Sequence, residues 1–370
     1  MTSREAILAL NLLPSIGPVR ISRLLDAFGD AEKVLTASAN QLLRVDGIGN
    51  ETAKLIADWE NLVDPSKELA EAEERGISII TRDDDSYPKY LLQAYDAPIL
   101  LYVWGEILPR DRHAISVVGS RRSTTYGTSA TKKLTYQLAH AGFTIVSGLA
   151  RGIDTTAHEA ALAAKGRTIA VVGSGLARLY PPENLTLAEK IANGNGAVIS
   201  EFPLHRPPDK QTFPMRNRIV AAWCQAVLVT ECPAWSGSLI TANLASEYGK
   251  SIFAVPGPID KPSSAGCHQL IRDGATLITD ASQIIDDMGE LPFSYQNEEP
   301  QQKLADCPEL PALPEEEAKI LAAMPAGEEL AIDQLIQHTG LPSSAVTAGL
   351  FKLELRRLVR PLPGFRFIRR

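Results

Sequence analysis

The sequence predicts an α/β protein: an extended Rossmann-like, doubly wound, mostly parallel sheet, with a small helical domain before it and a winged-helix-like domain after it. Three observations predict this. Seven short runs rich in valine and isoleucine recur between residues 115 and 278. Helix-length patterns separate most of them. A polar, proline-bearing stretch then precedes three further helical patterns and a basic hairpin.

Residues 1–65 read as a helical unit. Leu13-Pro14-Ser15-Ile16-Gly17-Pro18 and Val45-Asp46-Gly47-Ile48-Gly49-Asn50 both place a hydrophobic-x-Gly turn between helical patterns. They resemble a pair of helix-hairpin-helix (SAM-like) motifs, whose glycine turn can offer N–H groups to a DNA phosphate. Turns that only pack helices suit this acidic segment as well. Residues 66–110 read as a connecting extension, with an acidic helix at 67–75, a turn at Asp83-Asp84-Asp85-Ser86-Tyr87-Pro88 and a strand-like run at 99–104.

The core is expected at 111–288. Its runs, 115–118, 144–147, 168–172, 197–200, 226–230, 251–255 and 276–278, are apolar on both faces. Strands buried in a parallel sheet have that character. Helical patterns at 125–140, 154–165 and 238–248 make the repeat βαβ, with right-handed crossovers. The polar segment 289–312 is a linker. In 313–370, helices at 315–324, 332–339 and 343–358 precede a possible hairpin at 359–368. This suggests a winged helix with 343–358 as recognition helix. Its bases come late, at Lys352, Arg356, Arg357 and Arg360, which fits a protein-docking module equally.

With 45% hydrophobic and 22% charged residues, the 370-residue chain is not disordered throughout. No run approaches the ~20 apolar residues of a membrane span, and the apolar stretch 6–10 follows an acid, unlike a signal peptide. Four cysteines without a C-x-x-C pair and six scattered histidines argue against a disulfide framework or a metal site. No cofactor is expected, and the expected compartment is the cytoplasm. The net charge of −7 is unevenly divided: −7 in 1–110, +3 in 111–288, −9 in 289–350 and +6 in 351–370. Binding responds to a local patch more than to a total, so the acidity does not exclude nucleic acid.

In such a sheet, ligands bind outside the carboxyl ends of the strands. The loops there are basic and glycine-rich: Gly119-Ser120-Arg121-Arg122, then Ser147-Gly148-Leu149-Ala150-Arg151-Gly152-Ile153-Asp154, then Gly173-Ser174-Gly175. A longer loop carries Lys210, Phe213, Arg216 and Arg218. Glycines let N–H groups approach an anion, and Phe213 offers a face on which a base could stack. Enzymatic readings are weaker. Gly173-Ser174-Gly175-Leu176-Ala177-Arg178 has Arg where a dinucleotide fingerprint needs its third glycine, and no phosphate-loop motif occurs. Glu201 and Glu231 follow strands and could act as general bases of a nucleotide-processing enzyme, but no nucleophile–base pair stands out. Asp154 and His158 read as a helix cap and a packed histidine. Ser236-Gly237-Ser238 reads as a cap and anion turn.

These loops, with Tyr180-Pro181-Pro182-Glu183-Asn184, Ser200-Glu201-Phe202-Pro203, Phe213-Pro214-Met215-Arg216-Asn217-Arg218, Ser236-Gly237-Ser238-Leu239-Ile240-Thr241-Ala242 and Val255-Pro256-Gly257, resemble in order the bacterial DNA-processing protein A (DprA/Smf) family. The resemblance implies a dimeric core that binds single-stranded DNA without sequence preference. It also implies loading of the recombinase RecA, displacing or bypassing single-strand-binding protein, during natural transformation. It makes Arg121 and Lys210 phosphate contacts and Phe213 the stacking residue. Gly119, Ser120 and Arg122 share the first loop, and Ser147, Gly148 and Arg151 complete an anion pocket with Arg216 and Arg218 nearby. Arg218 and Asn217 could instead hold the fold.

Overall fold

The computed structural model describes residues 1–289, 314–324, 329–355, 359–362 and 366–369. It divides into two compact units, Met1–Gln296 and Asn297–Arg370.

The first unit is built on one nine-stranded sheet. Its strands are β1 (Ile77–Thr81), β2 (Leu100–Gly105), β3 (Ala114–Val118), β4 (Thr144–Ser147), β5 (Thr168–Val171), β6 (Gly196–Ser200), β7 (Ala226–Val229), β8 (Ser251–Ala254) and β9 (Thr276–Leu277). Their order is β1-β2-β6-β5-β4-β3-β7-β8-β9, antiparallel at β1–β2 and β2–β6 and parallel elsewhere. The seven predicted runs thus become β3 to β9. The run at 99–104 becomes β2, so the 66–110 extension adds two strands to the sheet. β1 was not anticipated: Ile77-Ser78-Ile79-Ile80-Thr81 is an edge strand that buries Ile77 and Ile79, shows water a serine and covers Ile80 only in part.

From β3 the chain steps outward through β4, β5 and β6, then crosses back to lay β7, β8 and β9 on the other side. The reversal lies between β3 and β7, so a crevice is expected at their carboxyl ends. Successive residues alternate between two cores, the period-2 consequence of the pleat. Val118, Val146, Ile169, Val171, Val227 and Val229 lie with Val220 and Ala242 of the helices Thr212–Trp223 and Gly237–Glu247. Ile115, Val117, Ile145, Leu228 and Phe253 lie with residues of Thr125–His140, Ile153–Ala163 and Ala281–Met288.

The N-terminal helices share the sheet's core. Leu8, Leu10, Ile21, Leu24 and Ile56 belong to one apolar cluster with Tyr102, Val172 and Val198. The helices Pro18–Phe28 and Asn50–Ala57 start directly after Gly17 and Gly49, as the two turns predict. At the sheet's amino end, buried Asp111 receives Arg167 Nε and Nη2, Thr144 Oγ1 and Leu108 N, all at 2.8 Å. This binds the starts of β3, β4 and β5 through a bidentate pair.

The second unit has helices Glu315–Ala322, Ile332–Thr339 and Ser343–Leu355, and strands β10 (Glu329–Ala331), β11 (Val359–Leu362) and β12 (Arg366–Arg369). The strands form an antiparallel sheet in the order β10-β12-β11 over a core of Ile320, Leu335, Val346, Leu350 and Leu353. This is a winged helix. β10 was not predicted, because three residues carry too little pattern. The linker residues 290–312 and the bases Arg356 and Arg357 lie outside the described residues.

His158 is fully buried on the Ile153–Ala163 helix. Thr168 Oγ1 donates to the Ile145 carbonyl (2.7 Å), so His158 Nδ1 must carry the proton it shares with that oxygen at 2.7 Å. Nε2 is buried and has no partner among the described residues. Burial, and then the Arg216 charge, push the imidazole pKa down from 6.5 to about 3. In the unfolded chain the ring takes a proton as pH falls through about 6.5; in the folded chain it does not. Stability from this group is therefore complete above that pH and falls as pH drops toward 3, by about 1.4 kcal/mol per unit at most. Urea titrations between those limits should show that slope in the native chain and a shallower one in His158→Asn; equal slopes would remove the assignment.

Candidate nucleic-acid interface

A groove of about 650 Å³ opens at the predicted switch point. It is lined by the loops after β3, β4 and β7 and by the start of the Thr212–Trp223 helix. Of the eleven expected residues, Gly119, Ser120, Arg121, Arg122, Gly148, Lys210, Phe213 and Arg216 line it. Ser147, Arg151 and Arg218 do not.

The loops are set by close backbone contacts. Ser120 N donates to the Glu231 carbonyl at 2.7 Å, joining the β3 and β7 loops across the switch point. Glu231 is buried and accepts from Thr124 N (2.8 Å) and Thr124 Oγ1 (2.7 Å), clasping the start of the next helix. Gly152 has φ +78°, and a Cβ there would stand 2.3 Å from the Ser120 carbonyl oxygen. Only glycine suits both demands.

Arg216 forms the floor. Only 4% exposed, it donates through Nη1 to the carbonyls of Gly148 and Val171, at the ends of β4 and β5. A Cβ on Gly148 would lie 2.4 Å from that nitrogen. Beside it, Asp154 accepts from Gly148 N (3.1 Å) and Ala150 N (3.3 Å). Asp154 was expected to cap its own helix; Gly152 occupies the N-cap instead, and the carboxylate holds the preceding loop. Burial raises the Asp154 carboxyl pKa against the opposing pull of Arg216. Burial lowers the Arg216 guanidinium to about 10, opposed by Asp154, which leaves it cationic at neutral pH.

Above this floor Arg121, Arg122 and Lys210 are exposed, and none forms an ion pair among the described residues. The Arg121 guanidinium lies 5.0 Å from the Phe213 ring centre, within cation–π range. Phe213 is tilted against Tyr180 (5.9 Å, 51°), and Arg151 lies 5.9 Å from the Tyr180 ring. Two cations and two rings thus make a ladder along the rim. The outer cation, Arg151, is already paired with Glu183.

Two expected residues are spent on the fold. Ser147 is buried and donates to the Val117 carbonyl (2.6 Å), so its hydroxyl faces the neighbouring strand. Arg218 is buried in ion pairs with Glu201 and, at 3.6 Å, Asp96. Two helical residues on from Arg216, its side chain leaves the axis about 200° away. Glu201 and Glu231, the candidate bases, are both buried, engaged as described, and absent from the groove lining. Tyr180 was visible in the sequence only as part of a motif. Ser236 caps the Gly237–Glu247 helix as expected, accepting from Ser238 N at 3.3 Å. Before it stands Trp235, a groove residue that no motif marked.

Fold and groove define a Rossmann-like α/β protein with a cationic, aromatic site at its switch point. Family comparisons agree in detail. The profile of DNA recombination-mediator protein A matches residues 78–289, a DprA winged-helix profile matches 305–364, and a SAM-like helix-hairpin-helix tandem profile matches 7–58. Protein Smf of a Synechocystis species is 36% identical over 393 residues, covering 98% of each chain. DNA processing protein DprA of Streptococcus pneumoniae is 44% identical over 202 residues, covering 55% of this chain and 71% of its own. The X-ray structure of the S. pneumoniae protein aligns with TM-score 0.68 at 34% identity, over 78% of this chain and 98% of that one. A Helicobacter pylori DNA processing protein A, whose structure concerns its single-stranded DNA binding mode, aligns with TM-score 0.52 at 32% identity, over 57% and 95%. The chain belongs to the DNA processing protein A (DprA/Smf) family.

The geometry separates floor from surface. Arg216→Met would leave Asp154 and two carbonyls without their cation and should cost about 3–5 kcal/mol in urea unfolding. Arg121→Glu, on the surface, should stay within about 0.5 kcal/mol of the native chain. Similar losses for both would contradict this division.

Proposed function

We propose that this chain is a non-catalytic recombination mediator that binds single-stranded DNA independently of sequence and loads RecA onto it. The observation that carries the reading is the groove: three exposed cations without acidic partners among the described residues, beside an aromatic ring and above a floor whose buried charges offset each other. Cations reach phosphates of any sequence, and an aromatic face accepts any base. The H. pylori relative, with its single-stranded DNA binding mode, supports the choice of ligand.

In this reading Arg121, Arg122 and Lys210 hold phosphates, Phe213 stacks a base, and the Gly119-Ser120 backbone lies close to the strand. Arg216, Arg218 and Ser147 keep the strand ends in place. The chain acts as a homodimer in the bacterial cytoplasm, on DNA entering by natural transformation, and works past single-strand-binding protein. Among the described residues no helix is long and apolar enough to cross a membrane.

Gel shift with poly-dT tests the core of this. Arg121→Glu combined with Lys210→Glu should abolish retention and leave the unfolding midpoint near that of the native chain. The milder Arg121→Gln, Lys210→Gln pair should lower the log–log salt slope by about 1.4, at ~0.7 per phosphate contact. Undiminished binding by the charge-reversed chain would overturn the reading. Hydrolysis of a nucleotide that is lost in Glu231→Gln would favour an enzyme instead.

A further inference from the structure

Trp235 is 98% exposed, the most exposed of the large apolar side chains described. Of the chain's four tryptophans, Trp223 is buried and Trp59 and Trp104 are partly buried. An indole so placed leaves a large apolar face in water, a face that proteins commonly bury. No ring or cation packs on it among the described residues.

Its position is more informative than its exposure. Trp235 lines the same groove as Arg121, Lys210 and Phe213. Its loop is held at both ends: Glu231 clasps Thr124, the Cys232 carbonyl accepts from Gly266 N at 2.9 Å, and Ser236 caps the following helix. The ring is therefore offered from a fixed base, which limits the ordering cost of engaging it. Phe213 packs over Gly173, beyond the end of β5, where a Cβ would come within 2.9 Å of its ring. Trp235 follows β7, three strands away in the sheet order. At about 4.8 Å per strand, the strand ends below the two rings are on the order of 14 Å apart, too far for one base to use both. Arg121 and Arg122 come from β3, between them.

We infer that Trp235 is a second stacking platform, which takes a different base of the same single strand that Phe213 engages. The strand then crosses the carboxyl ends of β5, β4, β3 and β7, with its phosphates over the Arg121 loop and a base on a ring at each end. This rests on the single-stranded DNA reading above and extends it by naming the strand's path.

The test uses the full chain and a dT oligonucleotide of about 20 residues. Native protein should lose tryptophan fluorescence on titration, and Trp235→Phe should lose most of that quenching while still binding. Trp235→Ala should weaken binding between about fivefold and 150-fold, the range of one base–aromatic stack, with the salt slope unchanged. On an abasic sugar–phosphate oligomer, native and Trp235→Ala chains should bind alike. Native affinity for dT in Trp235→Ala would overturn the inference and leave the DNA reading intact, even if a protein partner then required the residue. A changed salt slope would overturn stacking as the mechanism. Failure of the native chain to bind dT at low salt would overturn the DNA reading itself. Unchanged thermal unfolding of the variants would exclude misfolding as the cause.

Discussion

The groove depends on one buried cation. A parallel sheet ends in carbonyl oxygens that no further strand pairs with, and a buried carbonyl without a donor costs free energy. Here the Gly148 and Val171 carbonyls, at the ends of adjacent strands, are both met by Arg216. Arginine suits the position because its guanidinium presents several donors in one rigid plane and keeps its charge when buried. Asp154 supplies the opposing charge and also holds the Gly148 and Ala150 amides. Glycine at 148 leaves room for the guanidinium. The floor is thus fixed and close to neutral, and the field in the groove comes from what stands above it.

That arrangement explains how an acidic chain can present a cationic site. The core carries only three more bases than acids. Its bases divide by role: Arg167, Arg216 and Arg218 are buried against Asp111, Asp154 and Glu201, whereas Arg121, Arg122 and Lys210 stand exposed in one groove. Each buried cation faces a buried acid, so these pairs add little net charge beneath the groove. The local potential then follows position more than number.

The parallel strands were legible because continuous runs such as Ala226-Val227-Leu228-Val229 have few other uses than a strand covered on both faces. β1 and β10 were not, being short, with their pairing decided by distant partners β2 and β12. The site was readable as loops at strand ends, because glycine and arginine cluster there. It was not readable as side-chain directions. Arg216 and Arg218 share a motif, yet one faces the groove and the other Glu201. Ser147 ends a strand, and the hydrogen bond to Val117 turns its hydroxyl aside. Trp235 carried no signal beyond being an aromatic in a loop after β7, and only the assembled groove gives that position meaning.

The two carboxylates that a catalytic reading would use point to the same division between floor and surface. A general base needs a lone pair free to reach a proton on the substrate. Glu231 commits both oxygens to Thr124 and its backbone carbonyl to Ser120, so it ties the two loops that border the switch point. Glu201 follows β6 and is buried against Arg218 through Oε2, where burial raises its carboxyl pKa and the arginine opposes that rise; Oε1 is buried without a partner among the described residues. Freeing either one would loosen the loops or strand ends on which the groove is built. A site made in this way holds a shape and a field steady, with both carboxylates buried away from the groove. The proposed sequence-independent retention of a strand rests on those properties.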